Sequence, residues 1–140
     1  MDIRKITDEL SVAPQIGASD VAAVAAAGFR SVICNRPDGE SSDQPCCGDI
    51  EAVVKAHGLV WRSQPVRSGA VTIADALEFG ALLAKLPKPV LAYCRSGTRC
   101  ATLWSLSEAG KRPLAEIVSR ANAAGFDVVS VMERTLNPGA

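Results

Sequence analysis

The chain has little with which to hold a polyanion or a metal. Its 15 Lys and Arg are matched by 15 Asp and Glu, and a single histidine stands among 140 residues. Neither sign of charge dominates, so no field draws it to nucleic acid or to an anionic membrane. The five cysteines (Cys34, Cys46, Cys47, Cys94, Cys100) are an odd set without a CxxC spacing. Neither a disulfide framework nor a zinc site is their natural reading, and the adjacent Cys46 and Cys47 read as two helix-start residues before they read as ligands. No metal and no organic cofactor is expected. Long apolar runs are missing as well: residues 21–27 are mostly alanine and stop at Gly28, far short of the about 18 residues that a membrane span requires. Met1-Asp2-Ile3-Arg4-Lys5 is not followed by an apolar stretch with a small-residue cleavage site, so no secretory leader is expected and a cytoplasmic location follows.

What is present is aliphatic. Hydrophobic residues make up 48% of the chain and charged ones 21%, which excludes disordered, collagen-like and coiled-coil classes. A chain this long buries roughly two-thirds of its unfolded surface, enough for one domain over residues 1–140 without a covalent staple.

The pattern alternates strands and helices. Residues 3–6 and 10–13 pair as a small hairpin around Thr7-Asp8-Glu9. Ser19 reads as the N-cap of a helix closed by Gly28, followed by an apolar strand over 29–35 and a polar loop with two prolines over 36–45. Residues 46–57 carry helical spacing with His57 in the last turn, and 59–63 form a strand. Thr72 caps a helix through Leu86, with Leu77, Phe79, Leu82 and Leu83 assigned to its buried side. Val90-Leu91-Ala92-Tyr93 is the continuous apolar run of a central parallel strand. Helices over 99–109 and 113–124 follow, broken by Gly110 and Gly125. Residues 126–132 fit either a strand, favoured by their valines, or a short helix. The sum is an α/β fold: a three-layer sandwich with a mainly parallel sheet between helices.

Chemistry concentrates directly after the central strand, in Cys94-Arg95-Ser96-Gly97-Thr98-Arg99-Cys100. Ligands of α/β sheets bind at the carboxyl ends of parallel strands, where helix N-termini offer unpaired amides and positive potential. Gly97 lets the backbone turn so that successive N–H groups form an anion cradle. The same field, with Arg95 and Arg99, lowers the pKa of a thiol at its centre, so Cys94 is expected to be a thiolate nucleophile open to solvent. Arg99 is assigned to charge on the bound oxyanion. Arg95 points either to substrate or to solvent. Cys34 reads as an inert buried thiol. Cys100 reads as a packing residue of the first helical turn or, in a sharper role, as a resolving thiol for Cys94.

These residues resemble the active loop of the cysteine-dependent phosphatases and the rhodaneses, which share strand, cysteine loop and helix in that order. Phosphatases place their arginine six positions after the cysteine; here the sixth position is Cys100 and the arginine falls fifth, at Arg99. That spacing resembles a rhodanese loop, in which the cysteine carries a persulfide. Leu10-Ser11-Val12-Ala13-Pro14-Gln15-Ile16, the helix end Ala26-Ala27-Gly28-Phe29 and Ser31-Val32-Ile33-Cys34-Asn35-Arg36-Pro37-Asp38-Gly39-Glu40 are similar instead to the start of dual-specificity-like phosphatases. Together they resemble a bacterial family, the phosphatase-like domain of the beta-lactamase hydrolase-like proteins, also described as sulfur transferases. Its members occur alone or fused to a metallo-β-lactamase-like hydrolase. The resemblance spans nearly the whole chain. It implies a cysteine-phosphatase-like sandwich, a small anionic substrate (thiosulfate, a persulfide or a phosphoester) and association with a metallo-β-lactamase-like hydrolase.

The leaving group separates the two chemistries. Expelling an alkoxide or phenoxide from a phosphate monoester needs a general acid. In the dual-specificity fold that acid is an aspartate on the loop matching residues 64–71, and this stretch holds no carboxylate. Asp38, Glu40 and Asp43 are the candidates for a relocated acid. Sulfur transfer releases sulfite or a low-pKa thiolate and needs no such proton. Arg67, in the acid-free loop, is then the candidate to bind the sulfonate of thiosulfate or a carboxylate of a thiol carrier. On loop length and the missing acid, the residues alone favour a sulfurtransferase working through a Cys94 persulfide. Phosphatase action through a phosphocysteine is the alternative, and a non-catalytic anion-sensing or partner-binding domain is the third reading.

Overall fold

The central strand organises the molecule. In a computed structural model, which describes residues 1–137, Val90–Tyr93 (β5) is buried along its whole length. Its alternate residues face opposite layers: Val90 and Ala92 pack with Phe79, Leu103 and Ile117, whereas Leu91 and Tyr93 pack with Val21, Ile50 and Trp61. The period of two explains why the run is apolar throughout, since both faces of the strand are covered. The strands Arg4–Lys5 (β1), Leu10–Ala13 (β2), Ser31–Cys34 (β3) and Val60–Ser63 (β4) complete a sheet of order β1-β2-β5-β3-β4. Only β1 runs antiparallel, pairing Arg4 with Val12; the remaining pairs are parallel.

One face carries Val21–Ala26 (α1) and Cys47–Ala56 (α2); the other carries Ile73–Lys85 (α3), Thr98–Glu108 (α4), Leu114–Ala123 (α5) and Val129–Leu136 (α6). This is the three-layer α/β sandwich that the alternating pattern predicts. None of the described helices is long and apolar enough to cross a membrane.

Helix α4 lies inside its layer. Every residue from Arg99 to Ser107 is buried, so the helix has no solvent face, and its hydroxyls turn back on their own carbonyls, Ser105 Oγ to Ala101 O at 2.8 Å and Ser107 Oγ to Trp104 O at 2.7 Å. Gly80 lets α3 approach closely, for a Cβ there would stand 3.2 Å from Ser107 Cβ.

Two local expectations change. Ser19 is not the cap of α1: residues Ala18–Asp20 form a 3-10 turn, and the Asp20 carboxylate accepts the Gly17 amide at 2.8 Å. Thr72 does cap α3, in a reciprocal box with Asp75, but Leu77 is 64% exposed while Ala76, Phe79 and Leu83 are buried. Positions 77 and 79 differ by about 200° on a helix and cannot share a face, whereas 76, 79 and 83 can.

The ambiguous segment resolves as helix. Val128 and Met132 are buried while Ser130, which a strand would place on the same face as both, is exposed, whereas a helix puts positions four apart together without the one midway. Among the described residues the sheet therefore has five strands, and three helices rather than two follow the cysteine loop.

Candidate active site

The cysteine loop joins β5 to α4. Gly97 is its pivot: φ is +90°, and a Cβ there would stand 3.0 Å from Phe126 Cζ and 3.6 Å from the Ala13 carbonyl carbon. No side chain fits that conformation and that space together. The turn aims the Gly97 amide at the Cys94 sulfur, which accepts it at 3.1 Å. The Ala13 carbonyl, at the end of β2, accepts the Cys94 amide at 3.4 Å, and the Gln15 amide just beyond it donates to the Arg95 carbonyl at 3.2 Å. The Ser96 and Thr98 hydroxyls bond to each other at 3.0 Å on the outer rim.

These donors set the charge on the sulfur. A hydrogen bond from the Cys100 thiol acts most strongly, and the amides of Cys100, Arg99 and Gly97 add to it; together they outweigh burial and lower the Cys94 pKa from 9.0 to about 5. Cys100 is pushed the other way, chiefly by its complete burial, and stays a neutral thiol able to donate. The residue in the position of the phosphatase arginine thus tunes the nucleophile.

One expectation about Cys94 does not hold. The thiolate is not open to solvent: Cys94 has 0% exposure. The loop, one residue shorter than the phosphatase pattern, must widen before an anion reaches the sulfur.

Arg99 is anchored on its far side. Its Nη1 and Nη2 donate to Glu40 Oε2 and Oε1 at 2.7 and 2.8 Å, and Nη1 also donates to the Val66 carbonyl at 2.9 Å. Three of the five guanidinium hydrogens are used, and the edge formed by Nε and the second Nη2 hydrogen remains to grip an oxyanion in two places. Glu40 is shared with buried Arg36, whose Nε donates to Oε1 at 2.9 Å. The hydrogen bonds from Arg99 act most strongly and, joined by that from Arg36 and by the charge of both guanidinium groups, outweigh burial, so the Glu40 carboxyl falls to about 2.

That arrangement removes Glu40 as a relocated acid, because both its oxygens are committed to the guanidinium groups of Arg99 and Arg36. Asp38 accepts the Cys47 amide at 2.8 Å and so caps α2, and Asp43 accepts the Ser41 hydroxyl at 2.7 Å. Neither lines the pocket beside the loop, nor does exposed Arg67, although its neighbours Ser68 and Gly69 do. The pocket, about 780 Å³, brings together Arg95, Ser96, Thr98 and Arg99 with Thr72 from the start of α3 and with Asp127 and Arg134 from the α6 side. Arg95 is exposed and faces this space. Asp127 and Arg134 were not anticipated. Their only signal was an aspartate two residues before a possible helix start, hidden while the segment remained open between strand and helix.

The remaining thiols lie apart. Cys34 and Cys47 sulfurs are 3.3 Å from each other on the opposite side of the sheet, and Cys46 is exposed. Among the described residues, no three His, Cys, Asp or Glu side chains are arranged to hold a metal ion.

The five-stranded order with the cysteine loop between β5 and α4 gives the chain a cysteine-phosphatase-like α/β fold, of the protein-tyrosine and dual-specificity kind. Residues 2–111 match the model of the family described as beta-lactamase hydrolase-like protein, phosphatase-like domain, and the chain belongs to that family. Beta-lactamase hydrolase-like proteins of Xylella fastidiosa (strain Temecula1) and Agrobacterium fabrum (strain C58) are each 34% identical to it, over 91% and 89% of the chain. The chain spans only 30% and 29% of their lengths. The crystal structure of a candidate phosphatase from Neisseria meningitidis is 37% identical, covers 98% of both chains and superposes with a TM-score of 0.88. Tk-PTP in its active form, at 17% identity and a TM-score of 0.76 over 96% of this chain and 93% of its own, shares the fold.

Proposed function

We propose that the chain is a cysteine-dependent phosphatase for small anionic phosphomonoesters, working through a phosphocysteine on Cys94. The observation that carries this reading is Cys94 at the start of the loop leading into α4, its sulfur accepting the Gly97 amide, with Arg99 of the same loop lining the adjacent pocket, in a five-stranded sheet against which 129–136 packs as a helix. The family and the Neisseria relative support the same chemistry over the sulfur transfer that the loop length alone favours. Cys94 attacks phosphorus, the loop amides and the Arg99 edge carry the charge that develops on the equatorial oxygens, and water then releases phosphate.

One feature favours a second reading. With Arg99 in the fifth position and the Cys100 thiol beside the nucleophile, the loop keeps the rhodanese spacing, which supports a persulfide on Cys94. Intact mass after incubation with an aryl phosphate, and separately with thiosulfate, distinguishes the two. A phosphoryl adduct that is absent from Cys94→Ser is the expected result; a sulfur adduct alone overturns the phosphatase reading. Association with a metallo-β-lactamase-like hydrolase belongs to this proposal by family analogy, and a cytoplasmic location by the reduced state its thiols need.

A further inference from the structure

The phosphatase reading leaves the leaving-group proton without a source. Residues 64–71 contain no carboxylate, Glu40 is fixed between Arg36 and Arg99, and Asp38 and Asp43 lie outside the pocket. Among the residues that line the pocket there is one carboxylate, Asp127. Packing holds it there. The preceding residue, Phe126, rests on Gly97 of the cysteine loop, while the Arg4 guanidinium lies 6.0 Å from the Phe126 ring centroid and donates to the Ala124 carbonyl at 3.0 Å. The chain just before Asp127 is thus fixed against the cysteine loop on one side and against β1 on the other. Asp127 Oδ1 accepts the Val129 amide at 3.2 Å, and Oδ2 has no protein partner among the described residues. The charged groups sharing its surroundings are Arg95 and Arg99 from the loop and α4, Arg134 from α6, and Arg4 behind Phe126.

We propose that Asp127 is a catalytic residue of this site, the general acid for the leaving group and then the base for water. This rests on the phosphatase reading. In the first step the Cys94 sulfur bonds to phosphorus, the bond from phosphorus to the ester oxygen breaks, and the Asp127 proton passes to that oxygen, which leaves as a neutral alcohol or phenol. In the second, a water oxygen bonds to phosphorus, the sulfur–phosphorus bond breaks to restore the thiolate, and one water proton returns to Asp127. One phosphomonoester and one water are consumed, and the enzyme is unchanged.

The test is the dependence of rate on the leaving group. Asparagine keeps an oxygen to accept the Val129 amide, so Asp127→Asn is suited to preserve the fold, which circular dichroism checks; Asp127→Glu serves as the conservative variant. With phenyl phosphate, a poor leaving group, Asp127→Asn is expected to lose about 100-fold in kcat, the lower end of what general acids supply. With 4-nitrophenyl phosphate, which departs with little protonation, the loss is expected to be much smaller, the alkaline limb of the pH profile disappears, and Asp127→Glu recovers part of the phenyl phosphate rate. Equal losses on the two esters, or none, overturn the role of Asp127 while a phosphoryl adduct on Cys94 keeps the phosphatase reading standing. Wild-type protein that hydrolyses neither ester and forms no phosphoryl adduct overturns both.

Discussion

At neutral pH the Cys94 sulfur carries charge because its neighbours donate to it more than burial penalises it, and the largest donor is a second cysteine. Cys100→Ala removes that donor and leaves the three amides, so the Cys94 pKa rises, whereas Cys100→Ser keeps a hydroxyl in reach and holds it closer to the wild-type value. Ultraviolet titration of the thiolate reads both; an unshifted midpoint in Cys100→Ala removes Cys100 from the electrostatics. Alkylation of the wild-type protein should follow the same midpoint near 5, yet run slower than a free thiolate of that pKa, since Cys94 is fully buried. Glu40 does comparable work for the arginines. Glu40→Gln leaves the buried guanidinium groups of Arg36 and Arg99 without their shared counter-charge, and because Glu40 itself is partly open to water a loss of about 1–3 kcal/mol in denaturant unfolding is expected. The nucleophile and Arg99 were legible from residue type and spacing, because a cysteine, a glycine turn and a helix start are local in sequence. Glu40 lies 59 positions from Arg99, and its ion pair depends on how the 36–45 loop folds, which no local pattern encodes.

Among the elements, those with a one-sided periodicity or a flanking glycine fall where the residues put them: β5 as written, α3 behind its Thr72 cap, and α4 and α5 each ending within two residues of a glycine. The segment over 126–132 was undecided because valine suits a strand while its spacing suits a helix, and only packing against α4 selects between them. That selection matters to the site, since the turn entering α6 seats Phe126 on Gly97. Gly97→Ala tests the link. The left-handed conformation costs a side chain about 1–2 kcal/mol, and the methyl group would also press on Phe126. The variant is expected to lose at least that stability and to raise the Cys94 pKa as the Gly97 amide turns away; intact stability with an unchanged thiolate midpoint would show that the loop tolerates another path.

For the whole molecule, the sandwich and its parallel sheet could be read from alternating strand and helix patterns, while the choice between phosphatase and rhodanese topology hung on a single late element. The charged groups that build the site also make the stability of the whole fold depend on pH, over two separate windows. Glu40 has a folded pKa of about 2 against an ordinary 4.5, so its contribution is complete above 4.5, declines as the pH falls toward 2 and is absent below. Cys94 has a folded value of about 5 against 9.0, so its contribution is complete above 9, declines between 9 and 5, and vanishes below 5. Cys100, displaced upward, adds an opposite dependence only above 9. Subtracting the unfolding free energy of Cys94→Ala from that of the wild type cancels every group the substitution leaves alone. The difference should rise with pH between 5 and 9, with a slope approaching 1.4 kcal/mol per pH unit at about 25 °C, the limit for one proton. A flat difference across that range would mean that the folded protein does not hold the sulfur as a thiolate, and the nucleophile would then have to be generated by the substrate's arrival.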